Sequence, residues 1–403
     1  MQHQIKLAAI VGSIALAATA CGTAKTDNTT SSGSTLKDLP VQTSISVPAD
    51  AANPAGDGKA NCPASTTLAY IGAETGPNAQ LGINIFQGIQ LAINQHNKAN
   101  PGCQVKFKKF DTEGDPNKAT GPVTQATKEA DIIGVVGLPF SGESQATGNI
   151  FEQAGLVHIT PAATNPGLSQ NGWKTFFRAL GNDSVQGPAA ADLAEKLGAK
   201  KVYVVQDDSD YGIGLAKTAS DALGDKVVGT DKVTTGQKDF SAVVSKIVNA
   251  KPDAVFYSGY YAEAAPFDQQ LVAKGYKGTF IGPDGVKDDQ FIKQAGSASS
   301  NAYFTCPCLP GELIPSFEKE YKAAFNSEPG TYSAEAYDAV TVLLKGIDAG
   351  NTTRPKLLSY VTSYDGQGLT KALKWDSTGE LAKTSVYGYK VQDGKIVSVG
   401  TIG

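Results

Sequence analysis

The chain carries no cluster of basic residues, and its formal net charge is −4. Nucleic acid is thereby a poor partner, because backbone phosphates demand concentrated Lys and Arg. Histidine is scarce, with three in 403 residues. His3 lies in the leader and His96 on a polar helix face. His158 sits inside an apolar strand, where a satisfied core residue is expected rather than a catalytic base. No Gly-x-Ser-x-Gly elbow surrounds Ser141, and Gly76-Pro77 cannot supply the spacing of a dinucleotide-binding glycine fingerprint. The reading is therefore not an enzyme, and no cofactor is expected. The acid run Asp207-Asp208-Ser209-Asp210 lacks the ligand spacing and closing Glu of a calcium loop, so no metal is expected there. Beyond the leader, no apolar run approaches membrane-spanning length.

Residues 1–20 read as a secretory signal. Lys6 supplies the basic start, Leu7 to Leu16 the apolar run, and Ala17-Ala18-Thr19-Ala20 the small residues before Cys21. Small residues at the −3 and −1 positions before a cysteine look like a bacterial lipoprotein signal, with Cys21 lipidated. Ala18 stands where that pattern most often has Leu, and ordinary cleavage near Ala20 is the alternative. Gly22 to Gly58 is rich in Thr, Ser, Ala, Asp and Pro, and is expected to be a flexible tether. A folded core of about 340 residues remains, enough for two lobes. Cys62 and Cys103 precede the first two predicted strands, which as parallel neighbours would bring them close, so an exported protein would bridge them. Cys306-Pro307-Cys308 reads as a small disulfide ring. Zinc is a weaker reading, since no third cysteine or histidine is near.

Strand and helix signals alternate along the core. Thr67 to Gly72 reads as a strand, and Ile83 to Asn97 as a helix with Ile85, Ile89, Ala92 and Ile93 at helical spacing. A second βα series begins near Asn182 and repeats the pattern. The fold class is α/β, with two doubly wound parallel-sheet lobes. Ligands of such sheets bind beyond the carboxyl ends of the strands, so facing sheets would form a cleft there.

Two strand ends stand out. Val135-Val136-Gly137-Leu138-Pro139-Phe140-Ser141 and Val157-His158-Ile159-Thr160-Pro161-Ala162-Ala163-Thr164 both run from apolar strand to small hydroxyl residues and then toward a helix. Hydroxyls and free N–H groups at a helix start make an anion site, such as for a small carboxylate. Ser141 and Thr164 could equally be simple helix caps, and Asn165-Pro166 reads as a cap and first helical residue in its own right.

The landmarks Gly72 to Pro77, Asp111 to Pro116, Thr160 to Thr164, Gln186-Gly187-Pro188, Tyr211-Gly212, Lys238-Asp239-Phe240, Asp253 to Tyr260 and Gly282 to Gly285 come in one order. In that order the chain resembles the branched-chain amino acid binding proteins of ABC importers, with the type I periplasmic binding fold, from about Leu68 to Tyr389. The resemblance implies two lobes joined by three crossing segments, near Asn182, Cys306 and Thr384. It implies an N-terminal lobe of 62–183 plus 307–384 and a C-terminal lobe of 184–306 plus 385–403, after a tether over 21–61. By position, Ser141 and Thr164 correspond to the hydroxyls that hold the ligand carboxylate, and the Ala162 carbonyl to an acceptor for its ammonium. Tyr260 and Asp284 correspond to polar contacts from the far lobe, and Tyr211 to a residue on the ligand side chain. Leu81 and Phe140 fall on the pocket walls.

Bland readings stand beside these. Pro-Asp-Gly is a turn signal at Asp284, Tyr260 could be a packed aromatic, and Tyr211 could belong to a solvated loop. Asp284 also sits where leucine-type binders often have Glu, and Leu81 where some relatives carry an aromatic. The expected function is an extracytoplasmic receptor that captures an amino acid, branched-chain above all, and passes it to ABC permease subunits. It would act as a monomer, held on the outer face of the cytoplasmic membrane by lipid on Cys21. The competing reading is a sensor or regulatory subunit of the same fold for amides or other small polar ligands.

Overall fold

The computed structural model describes residues 37–402, so the expected signal and Cys21 lie outside the described residues. The first βα series gives β1 (Thr67–Gly72), α1 (Ala79–Ala99), β2 (Lys106–Asp111), α2 (Pro116–Lys128), β3 (Ile132–Gly137), α3 (Ser141–Ala154), β4 (Val157–Thr160) and β5 (Phe176–Arg178). The strands form one parallel sheet in the order β2-β1-β3-β4-β5. β1, β3 and β4 are buried at every position, as strands covered by helices on both faces must be. β2 is an edge, and the lysines along it keep that edge from pairing with another chain.

The second series gives α4 (Asp183–Leu197), β6 (Val202–Gln206), α5 (Asp210–Leu223), β7 (Val227–Lys232), α6 (Ser241–Ala250), β8 (Ala254–Ser258), α7 (Tyr261–Ala273), β9 (Thr279–Gly282), α8 (Asp289–Ala295) and β10 (Ala302–Cys306). The chain then returns to the first sheet with α9 (Pro315–Phe325), α10 (Ser333–Asp348), α11 (Arg354–Thr362) and the hairpin β11 (Asp365–Gln367) and β12 (Ala372–Lys374). α10 packs along α1, and α11 packs on β3. It crosses a third time to β13 (Tyr387–Gln392) and β14 (Lys395–Thr401), which extend the second sheet antiparallel, in the order β14-β13-β10-β9-β8-β6-β7. Tyr257, Phe267, Phe280, Phe291 and Phe304 stack in succession between β8, α7, β9, α8 and β10.

Three local expectations change. The second strand end leads into a short 3-10 helix, Pro166–Asn171, capped by the Asn165 side chain on the Gly167 N–H (2.8 Å), and not into an α-helix. Pro166 fixes the start of that helix but nothing apolar follows at helical spacing to prolong it. Ser141 is the first helical residue of α3, with Phe140 before it, so Ser141 is not the cap. The stretch 37–58, expected to be part of a flexible tether, is seated on the body. The Lys37 N–H donates to the Leu197 carbonyl (2.9 Å), Gln42 to Ser398 (2.7 Å) and Ala52 to Gln367 (2.7 Å). Its few apolar side chains, Leu39, Ile45 and Val47, reach apolar clusters already formed by the lobes, so low apolar content did not prevent docking.

Cys62 and Cys103 are bridged, as are Cys306 and Cys308. The first bridge closes a segment spanning 41 positions. Cross-linking a loop of that size removes unfolded-state entropy worth about 2–4 kcal/mol. Cys62→Ser with Cys103→Ser is expected to lower the urea midpoint correspondingly with the amide-protection pattern of β1 and β3 retained. An unchanged midpoint would show that the bridge contributes nothing.

Candidate functional site

Five strands end at one place. β3 and β4 of the first sheet run out to Ser141 and Thr164; β6, β8 and β9 of the second run out to Tyr211, Tyr260 and Asp284. Gly137, at the end of β3, has φ +135°, and a Cβ there would lie 2.1 Å from the Ile71 carbonyl oxygen. Only glycine lets β3 turn so tightly against β1 before Leu138 to Ser141 enters the crevice.

The two strand-end loops of the first sheet are stitched together. Thr160 Oγ1 donates to the Leu138 carbonyl (2.8 Å) and accepts from the Ala163 N–H (2.9 Å). Ser141 Oγ accepts from the Asn165 N–H at 3.2 Å. Arg178, at the end of β5, is fully buried. Its guanidinium donates to the carbonyls of Ala163 and Asn165 (3.0 Å) and pairs with Glu380 at 2.9 Å. It thereby pins the backbone that carries Ala162 and Thr164. Within this frame neither Thr164 Oγ1 nor either carboxylate oxygen of Asp183 has a hydrogen bond inside 3.5 Å, although the two side chains are neighbours. Asp183 is the first residue of α4, and its N–H donates to the Thr164 carbonyl (2.9 Å). Burial pushes its carboxyl well above the ordinary carboxylate range and the charge of Asp284 adds to the rise, while the adjacent Thr164 side chain and the Arg178 charge draw it down in part.

Asp284 is fully buried and accepts from Gln186 Nε2 (2.8 Å), from the Tyr211 hydroxyl, and from the Tyr332 hydroxyl (2.9 Å). Burial raises its carboxyl, and the three donors hold it down in part. Tyr332 comes from the loop before α10, on the side of the first sheet, and has φ +69°. A bulky residue in the left-handed region is strained, and such strain gathers at functional sites. The Tyr260 ring packs edge-on to Phe140 (4.9 Å between centroids) and against Tyr211 (5.1 Å). Asn165 Nδ2 donates across to the Asp210 carbonyl (2.7 Å), and the Gln80 N–H to the Tyr261 hydroxyl (3.2 Å). The two sides are thus closed on each other.

Ser141, Ala162, Thr164, Tyr211, Tyr260, Asp284 and Phe140 therefore meet in one buried junction. Leu81 lies in the first turn of α1, in the apolar cluster that also holds Phe140, with no direct bond to the junction. The reading of Tyr211 as part of a solvated loop is corrected: it is 3 % exposed, packed under Tyr260. Sequence reasoning missed Asp183, Tyr332 and the Arg178–Glu380 pair. An acid in the first helical turn is ordinary dipole chemistry, which hid Asp183. Gln186 stood in a landmark but was given no role.

His158 stacks on Phe151 (4.1 Å), and burial pushes its pKa down to about 3, so it is a neutral core residue. The Leu156 and Thr175 backbones face the ring and partly oppose that fall, though no hydrogen bond to its nitrogens is shorter than 3.5 Å. His96, Cys103 and Asp348 come together, but Cys103 is bonded to Cys62 and cannot serve as a thiolate ligand. Glu143, in the first turn of α3, accepts from the Phe140 N–H (3.3 Å), and burial lifts its pKa to about 8. A raised carboxylate pKa means the folded state holds a proton that the unfolded chain has released. Stability contributed this way is present near pH 4.5 and lost as pH rises toward 8. Glu143→Gln should therefore melt several degrees higher than the parent at pH 9 and no higher at pH 4; parallel melting curves at both pH values would contradict this.

A family model described as periplasmic binding protein matches residues 65–395. The leucine-, isoleucine-, valine-, threonine- and alanine-binding protein of Pseudomonas aeruginosa is 33% identical over 329 residues, covering 78% of this chain and 86% of that protein. The Leu/Ile/Val-binding protein of Escherichia coli K12 is 30% identical, covering 78% of this chain and 87% of its own. LivJ of Streptococcus pneumoniae, a branched-chain amino acid transporter substrate binding protein solved with isoleucine, superposes with a TM-score of 0.77 at 28% identity, covering 82% of this chain and 97% of that one. The leucine binding protein LivK of Thermotoga maritima gives a TM-score of 0.76 at 29% identity, covering 84% and 99%. With two facing sheets, three crossings and a match that spans both, this chain belongs to the periplasmic binding proteins of the type I fold, alongside the branched-chain amino acid binding proteins of ABC transporters.

Proposed function

We propose that this chain is an extracytoplasmic receptor that captures an amino acid, of the branched-chain type, and delivers it to the permease of an ABC importer. The observation that carries the reading is a hydroxyl, Thr164, beside a carboxylate, Asp183, neither with a hydrogen bond inside 3.5 Å, at the buried meeting point of two sheets. An α-amino acid carries both charges on one carbon. Its carboxylate takes the Ser141 and Thr164 hydroxyls, and its ammonium takes Asp183 and the Ala162 carbonyl. Asp284 faces it from the other lobe. A carboxylate has about four acceptor sites, so the three donors on Asp284 leave room for one more. Tyr260, Tyr211, Phe140 and Leu81 supply the walls. The lobes, taken as 62–183 plus 307–384 and 184–306 plus 385–403, close over the ligand and expel water, which strengthens the paired charges.

The receptor works as a monomer and not as an enzyme. Lipid on Cys21 holds it at the outer face of the cytoplasmic membrane and raises its concentration near the permease. Among the described residues, no helix is long and apolar enough to cross a membrane.

A thermal-shift panel of the twenty amino acids tests the reading. Leucine, isoleucine and valine should give the largest upward shifts, since ligand at a hundredfold excess over Kd adds about 2.7 kcal/mol. A panel in which no amino acid moves the transition would end it.

A further inference from the structure

Residues 37–60 touch both sheet units in succession. Lys37 and Gln42 bond to the ends of α4 and to β14, and Leu39 joins the apolar cluster of α4, α5 and β6. Lys390, on β13, is only 6 % exposed; its ammonium donates to Asp38 Oδ1 (2.8 Å) and to the Leu39 carbonyl (2.7 Å). A nearly buried lysine of the second sheet thus takes its bonds from this N-terminal stretch. Three residues after Gln42 the partners change sides. Ile45 and Val47 pack on the cluster of α1, α9 and α10. Ala52 bonds to β11, and Asn100 at the end of α1 donates to the Ala55 carbonyl (2.9 Å) and accepts from the Ala60 N–H (3.1 Å). The stretch precedes the residues that the family model matches, 65–395.

We propose that residues 37–60 form a strap, a fourth connection between the two units, that limits how far they swing apart. The limit follows from chain length. Gln42 is held on one unit and Ile45 on the other, and three residue steps reach at most roughly 11 Å. The crossing lies beside the third one: Ser398, which takes the Gln42 N–H, pairs with Tyr389, and Tyr387 joins the cluster under Ile45 and Val47. Opening must therefore pivot on this edge, with the strap taut, and the far edge of the cleft carries the motion. The strap stands independently of which ligand the cleft takes.

The test lengthens the strap without unseating it. Ten Gly/Ser residues are inserted between Thr43 and Ser44, and the same ten are inserted before Lys37 as a control of equal mass. Small-angle scattering of both proteins without ligand gives the radius of gyration. The strap insertion should be larger than the control by more than the measurement error, with the same melting temperature. Equal radii overturn the proposal. Hydrogen exchange on the parent chain checks the seat: the amides of Gln42 and Ala52 should be protected at least tenfold over unfolded rates, and Lys390→Met should speed exchange at Gln42 while leaving Ala52 unchanged. Unprotected amides in the parent, or no change at Gln42 in Lys390→Met, would also overturn it.

Discussion

Asp183→Asn should weaken amino acid binding by about 2–5 kcal/mol, the cost of removing one partner of a buried charge pair. The substitution keeps the size and one acceptor oxygen, so the loss reports charge. Neither carboxylate oxygen of Asp183 has a protein hydrogen bond inside 3.5 Å, and Thr164, whose carbonyl takes its N–H, has its hydroxyl beside it without a closer partner. A ligand ammonium is the group that would repay burying this acid. The same logic sets the pH dependence. Burial holds the Asp183 carboxyl above its ordinary range, and an arriving ammonium favours the ionised form. Affinity should therefore fall as pH drops, and binding at acidic pH should release protons. Titration calorimetry in two buffers of different ionisation enthalpy reads both. Affinity unchanged in Asp183→Asn, measured at pH 7, would remove Asp183 from the site.

Asp284→Ala should cost both affinity and stability. Asp284 organises Tyr211, Gln186 and Tyr332, and only Tyr332 comes from the first-sheet side. Truncation leaves two buried hydroxyls without their acceptor, each worth about 1–3 kcal/mol, while the Gln186 amide keeps its longer bonds to Thr305 (3.3 and 3.4 Å); it also takes away the bond that ties the closed cleft. Affinity should drop by about 2–5 kcal/mol, and the denaturant midpoint should fall as well. Tyr332→Phe separates the two roles. It removes one donor and the cross-cleft tie but keeps the ring, so its effect on affinity should exceed its effect on stability. A stability loss in Asp284→Ala with no change in affinity would leave Asp284 a structural residue.

The architecture was legible because its signals are local and strong. β1 is apolar after Thr67 and β3 carries no polar side chain, and α1 shows its stripe at Ile85, Ile89 and Ile93. Those patterns give alternation, and alternation gives parallel sheets. β5 was missed because Phe176–Arg178 is three residues long, too short for any period to show. The strap was misread for a related reason: its composition is that of a linker, and what holds it is the surface of the lobes, which no window of sequence contains. In the site, hydroxyls at strand ends were visible, and the structure does bring Ser141, Thr164, Tyr260 and Asp284 together. Which carboxylate is free for a ligand was not visible. Asp284 looked available from its turn and proved to have three donors. Asp183 looked like an ordinary helix-start acid and proved to have no donor inside 3.5 Å. That distinction depends on the bonds each acid makes in three dimensions.

On the proposed function, one small zwitterion is gripped by both of its charges at the junction of the lobes. The direct measurement is calorimetry of the parent protein with leucine, with 3-methylbutylamine, which lacks the carboxylate, and with 4-methylpentanoate, which lacks the ammonium. Leucine should bind saturably, one to one, and each analogue should lose at least a hundredfold, about 2.7 kcal/mol apiece. Either analogue binding within a few-fold of leucine would contradict it.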